Sequence, residues 1–297
     1  MGVVRTDDGL RLHVEVDELD SAPLTVVYSH GFTAAHGEFL LQREAMHGRV
    51  RQVFYDQRGH GQSDPTPHQH VTMDQLGRDL QSVLAATCPT GPVVLVGHSM
   101  GGMAVMAWAR QFPDEVGTRV TGAFLLATSA GDLVTEGPIG RTVATLRRLH
   151  LLRWALLLLR LVSPVLTRLR KPGTKAGYRW IEHALFGVDD ADPELVVLVQ
   201  AMLEATPFTT AVAFYPALLD HDELAALPIL ARIPTTTLCG TTDRLTPIGH
   251  SRALAAALGD VLVEVPGCGH SVNVSRPEIV NGALLALLDR AATRSAA

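Results

Sequence analysis

Short apolar runs alternate with longer amphipathic stretches through the first 128 residues, the pattern of strands and helices that succeed one another along a largely parallel sheet. The runs predict strands over 11–16, 24–29, 50–55, 92–96 and 120–127. The amphipathic stretches predict helices over 38–46, 73–87 and 101–111, the last stopped by Phe112-Pro113. After Pro228 the alternation resumes, with strands over 235–239 and 261–265 and helices over 248–258 and 277–292. Gly240 and Gly267-Cys268-Gly269 punctuate the strand ends. Residues 129–228 break the rhythm: they are rich in Leu and Arg, helical in composition, and interrupted by Pro164, Pro172, Pro193, Pro207 and Pro216. They read as a helical insertion that divides an α/β core into 1–128 and 229–297.

Composition narrows the classes of function. An apolar fraction of 47% over 297 residues supplies a sizeable core and excludes a disordered chain. A net charge of −5 leaves no global footprint for nucleic acid. Three widely spaced cysteines, Cys88, Cys239 and Cys268, form no disulfide framework, and the first residues lack an apolar leader, so a reducing, cytoplasmic setting is expected. Gly2 with Thr6 matches the loose myristoylation pattern, but 23 Arg against 2 Lys is the usage of a GC-rich bacterial genome, where that modification is not expected. There is no H-E-x-x-H pattern, no paired C-x-x-C and no Walker run, so neither a metal nor a cofactor is called for.

The strongest chemical signal is Gly97-His98-Ser99-Met100-Gly101, where a buried-strand pattern meets a glycine-flanked serine and then a helix pattern. This is G-x-S-x-G in its strand–turn–helix setting, in which the serine sits on a strained turn and the glycines keep Cβ atoms out of the crowded bend. A serine hydroxyl is a poor nucleophile at neutral pH and needs a histidine base with a carboxylate to orient it. Of thirteen histidines, His98 adjoins Ser99 and is expected to point the other way from the turn. His30 directly follows a strand and is expected to shape a loop. His270 follows the last strand and lies after an acidic residue, matching the order Ser, Asp, His. For the carboxylate, Asp243 lies just beyond the strand ending at Cys239, on the sheet edge where ligands gather. Asp132 occupies an analogous place after the strand ending near Ala127 and is the rival.

With these residues in view, the chain resembles the α/β-hydrolase family over nearly its whole length. The matching elements, in order, are His30-Gly31-Phe32, Asp56-Gln57-Arg58-Gly59-His60-Gly61-Gln62-Ser63, the Ser99 turn, Gly240 with Asp243, and Gly269-His270. The resemblance implies the α/β-hydrolase fold, with a mostly parallel sheet flanked by helices and an inserted helical cap at about 129–228. It also implies a nucleophile Ser99, an acid Asp243, a base His270 and an oxyanion hole from the backbone N–H groups of Phe32 and Met100. The Asp56–Ser63 stretch reads as a tight turn fixed by hydrogen bonds, and Cys239 and Cys268 as packing residues.

Subfamily preferences narrow the activity. Epoxide hydrolases and haloalkane dehalogenases place aspartate where Ser99 stands. Carbon–carbon bond hydrolases commonly carry Asn in place of His98, and cofactor-free perhydrolases or haloperoxidases usually carry Trp in place of Phe32. His98-Ser99-Met100-Gly101-Gly102 is most similar to monoacylglycerol lipases and related carboxylesterases, which implies a small hydrophobic ester as substrate. A non-catalytic binding protein on the same fold is the rival outside enzymology.

Between Gly131 and Trp180 ten cations face only Asp132 and Glu136. Within this basic stretch 149–169 is strongly apolar, but Arg153, Arg160, Arg168 and Pro164 keep it from spanning a bilayer easily. Two readings fit: a helix that buries Leu156 and Leu159 over the sheet, or an interfacial helix in peripheral contact with anionic lipid.

Overall fold

The computed structural model describes residues 2–20, 22–133, 137–187 and 191–295, with side chains throughout these except at 137–141 and 294–295. The first half runs β1 (Gly2–Arg5), β2 (Arg11–Asp17), β3 (Thr25–Ser29), α1 (Leu40–Met46), β4 (Arg51–Tyr55), α2 (Met73–Thr87), β5 (Val93–His98), α3 (Met100–Gln111) and β6 (Val120–Leu126). The intervening helices are α4 (Gly137–Arg148), α5 (Leu152–Leu169), α6 (Lys175–Ile181), α7 (Pro193–Ala205), α8 (Phe208–Leu219) and α9 (Leu227–Leu230). The last part holds β7 (Thr235–Gly240), α10 (Ile248–Leu258), β8 (Val261–Val265), α11 (Val272–Ser275) and α12 (Pro277–Ser295).

The eight strands lie in the order β1-β2-β4-β3-β5-β6-β7-β8. The first two pairings are antiparallel and the remaining five parallel. Both faces of the central strands are covered, which is why they read as continuous apolar runs. Val27, Val53, Leu95 and Leu125 point to the side of α2, α3 and α10. Tyr28, Phe54, Val96 and Leu126 point to the side of α1 and α12. The chain thus forms the α/β-hydrolase fold that the sequence implies.

Two sequence expectations change. The strand β1 has no separate signal in the sequence, because its four residues are held by pairing with β2 and are mostly exposed. Pro164 does not interrupt its segment, for α5 continues through it. A proline inside a helix leaves the carbonyl four residues earlier without its N–H partner. Here the Ser163 hydroxyl donates to the Arg160 carbonyl at 2.8 Å and satisfies it.

Between β6 and β7, α5 packs along α8, and Phe214 and Tyr215 of α8 bring ring contacts to Phe32 of the core. Leu156 and Leu159 are half-buried in this arrangement, not buried over the sheet. No single helix among the described residues is long and apolar enough to cross a membrane.

Candidate active site

Ser99 sits between the end of β5 and the start of α3 with φ +53° and ψ −118°, a left-handed conformation that costs a non-glycine residue free energy. Surrounding bonds hold it there. Its N–H donates to the Leu126 carbonyl at 2.9 Å, and the Thr128 hydroxyl donates to its carbonyl at 2.7 Å. The turn closes only because Gly101 lacks a side chain: a Cβ there would overlap the Ser29 carbonyl. A Cβ on Gly97 would stand 2.6 Å from the Gly102 Cα.

The structure brings Ser99, His270 and Asp243 together, each nine-tenths or more buried. His270 Nδ1 lies 2.7 Å from Asp243 Oδ2, and His270 Nε2 lies 2.9 Å from Ser99 Oγ. A carboxylate only accepts, so Nδ1 carries the proton and Nε2 is left to accept from the serine hydroxyl. Asp243 also accepts from the N–H groups of Leu245 and Thr246 and from the Thr246 hydroxyl. Burial opposes its charge, but the His270 imidazole and these donors outweigh burial and hold the carboxyl below its usual range. Asp132, the rival, is exposed on the loop after β6 with a left-handed φ of +54°, and the His270 ring faces Asp243 instead.

The loop after β3 is pinned on both sides of Phe32. The Gly31 N–H donates to Glu38 Oε2 at 2.8 Å, and the Thr33 N–H donates to His60 Nε2 at 3.2 Å. Burial pushes His60 down to about 3, so its ring stays neutral and able to accept. Among the described residues the N–H groups of Phe32 and Met100 meet no acceptor. Free, fixed N–H groups of this kind are what an oxyanion requires. His30 joins the same loop to the one after β4, its Nε2 accepting the Gln57 N–H at 2.9 Å. Its expected role as a loop-shaping residue agrees with that contact.

The Asp56–Ser63 stretch is a turn, as its composition suggests. Asp56 accepts the N–H groups of His36 and Gln62, both at 2.8 Å. Arg58, fully buried, pairs with Asp79 at 2.6 Å and Asp8 at 2.9 Å. Cys239 and Cys268 are buried free thiols, and burial raises the pKa of both.

As expected of a residue turned away from the serine, the His98 ring bonds Glu38 and the His270 carbonyl and not Ser99, which places it behind the loop of His270. Its ring centroid lies 4.8 Å from that of His270. Its Nε2 faces the His270 carbonyl at 3.1 Å, and its Nδ1 faces Glu38 Oε1 at 2.9 Å. Two acceptors for two ring nitrogens favour the imidazolium. Burial lowers the pKa of His98, but Glu38 and the carbonyl more than offset it and the net shift is upward. Glu38 moves the opposite way, with burial outweighed by His98 and the Gly31 N–H. Sequence reading overlooks Glu38 because its partner is sixty positions away and nothing local marks it.

The helical stretch between β6 and β7 also reaches this loop. A π-helical turn, Glu182–Phe186, presents two carbonyls to the backbone beside His270: the Gly269 N–H donates to Phe186 at 2.6 Å and the Ser271 N–H to Leu185 at 2.7 Å. Leu185 and Phe186 close their helix, so their carbonyls have no partner further along it and are left for the loop of His270.

The chain belongs to the alpha/beta hydrolase family, whose model matches residues 26–283. Among individual proteins it is 32% identical over 104 residues to 3-oxoadipate enol-lactonase 1 of Acinetobacter baylyi, a match covering 35% of this chain and 38% of the lactonase. It is 32% identical over 112 residues to 2-(acetamidomethylene)succinate hydrolase of Mesorhizobium japonicum, covering 38% and 39%. These matches therefore span little more than a third of the relatives' own length. A thermophilic esterase from Thermogutta terrifontis superimposes with a TM-score of 0.75 at 25% identity, covering 98% of both chains.

Proposed function

We propose that this protein is a serine hydrolase that cleaves carboxylic esters with a hydrophobic acyl or alcohol portion through an acyl-enzyme. The observation that carries the reading is the unbroken hydrogen-bonded chain Ser99–His270–Asp243, with spacings of 2.9 and 2.7 Å. In the first half-reaction Ser99 Oγ attacks the ester carbonyl while His270 Nε2 takes its proton. Asp243 holds the imidazole in the required tautomer and stabilises the imidazolium. The N–H groups of Phe32 and Met100 receive the negative charge that develops on the carbonyl oxygen, a contribution of roughly 3 kcal/mol from each donor. His270 then returns the proton to the leaving alcohol. Water, activated by the same ring, releases the acid. The aromatic contacts of Phe32 with Phe214 and Tyr215 put apolar surface beside the oxyanion loop, which favours a hydrophobic ester.

A fluorophosphonate probe tests the mechanism, and a panel of p-nitrophenyl esters, monoglycerides and lactones of increasing chain length tests the substrate class. Stoichiometric labelling at Ser99 with turnover rising with chain length is expected. A protein inert to the probe, or one active only with peroxide and a short carboxylic acid, overturns the reading.

A further inference from the structure

The helix α5 leaves an apolar stripe uncovered. Trp154, Leu158, Leu161, Val165 and Leu169 recur at spacings of four, three, four and four residues, which puts them on one side of a helix. Their exposures are 55, 62, 68, 54 and 71%. Ser163, half a turn round from the stripe, is buried, and α5 rests on α8. The stripe is therefore the face turned away from the rest of the protein. Isolated exposed leucines need no explanation, but a contiguous row of five large apolar side chains marks an interaction surface.

The charge around the stripe says what covers it. From residue 137 to residue 181 the sequence holds ten Arg or Lys and no acidic residue. Arg153, Arg160 and Arg168 are exposed, and among the described residues they meet no carboxylate. Arg153 lies over the Trp154 ring at 4.9 Å, so the cation flanks the stripe. A second copy of the chain seated on this face would bring like charges together. An anionic bilayer would instead take the apolar row into its acyl boundary and the arginines into its headgroups.

We propose that α5 is a membrane-docking helix that holds this protein on anionic lipid surfaces. The inference rests on the exposed stripe and its charges, and it stands whether or not the proposed ester chemistry is right. Docking by α5 would also set α8 near the lipid. Through Phe214 and Tyr215, α8 reaches the loop of Phe32.

Flotation of the full chain tests this with vesicles of phosphatidylcholine alone and of an equimolar mixture with phosphatidylglycerol. Binding to the anionic vesicles, weakened by added salt, is expected, with little on the neutral ones. Each of Arg153→Gln and Arg168→Gln should lower partitioning by about fivefold. Each of Leu158→Ser and Leu161→Ser should lower it by about tenfold. All four positions are exposed, so an unchanged Tm is expected and separates loss of docking from loss of fold. Trp154 fluorescence should shift to shorter wavelength on binding, and Trp154→Phe should remove that shift. No binding to anionic vesicles at low salt overturns the proposal. So does equal binding to both vesicle types, or a dimer in sedimentation velocity that Leu158→Ser dissociates.

Discussion

Glu38 and His98 form a buried pair, 2.9 Å apart, that ties together the two loops carrying Phe32 and His270. One oxygen of Glu38 accepts the N–H of Gly31, next to Phe32, and the far nitrogen of His98 donates to the carbonyl of His270. Asn273 adds a third tie, its amide donating to the Glu38 carbonyl at 3.0 Å. The spacing between the loop of the proposed oxyanion donor Phe32 and the loop of the proposed base thus rests on one ion pair that bonds the backbone of both.

Breaking that pair should slow turnover and change how stability depends on pH. Glu38→Gln is expected to lower kcat by about 10–100-fold with KM little changed, since a small misplacement of reacting groups costs that much. His98 is raised above 6.5, so its contribution is complete below 6.5 and is lost as pH climbs through the folded value. Glu38 is lowered below 4.5, so its contribution is present above 4.5 and is lost as pH falls through the folded value. The pair therefore stabilises most between 4.5 and 6.5. Thermal melts should show the largest gap between wild type and Glu38→Gln in that window, about 2–3 kcal/mol. A gap constant across pH would show that the pair is uncharged.

Ser99→Ala should abolish ester turnover, by about 10⁶-fold in kcat on the serine-protease precedent, together with phosphonate labelling. Alanine meets the same left-handed φ as serine, and the lost hydroxyl only faces His270, so Tm should stay close to wild type. Full labelling of the variant at another serine would remove Ser99 from the mechanism.

Asp243→Asn should cost about 10⁴-fold in kcat, because an amide in place of the carboxylate turns the imidazole to the wrong tautomer. Asp132→Asn should leave kcat within about twofold, as surface substitutions usually do. Steady-state kinetics on the two variants decide the assignment, and exchanged phenotypes would move the acid to the loop after β6.

Gly101→Ala should destabilise the protein by about 3 kcal/mol or more, since its methyl group would enter the space of the Ser29 carbonyl on a neighbouring strand. Denaturant melts read this directly. A variant as stable as wild type would mean that α3 can move away from β3.

What the sequence disclosed follows from how local each constraint is. The turn at Ser99 needs glycines at fixed offsets, so it announces itself within five residues. Asp243 and His270 each follow an apolar run in a parallel sheet, and chain order places them on one edge. Glu38 and His98 carry no such marker, because only the packing of the turn before α1 against the end of β5 brings them into contact. The exposure of α5 was equally hidden: its composition fits a buried helix and an interfacial one alike. Only the position of α8 shows which face is left open.

The order of the strands has a consequence for synthesis. Ser99 and the loop of Phe32 lie before the insertion, whereas Asp243 and His270 lie after it, beyond β7 and β8. Domains begin to fold as they leave the ribosome, N-terminal parts first. A nascent chain can therefore form its strained serine turn long before the partner histidine has been translated. On the proposed mechanism, that serine stays an ordinary alcohol until β8 docks on the sheet edge. Chains terminated before His270 would, on the same mechanism, lack esterase activity, and phosphonate labelling of stalled translation products should begin only once His270 has emerged.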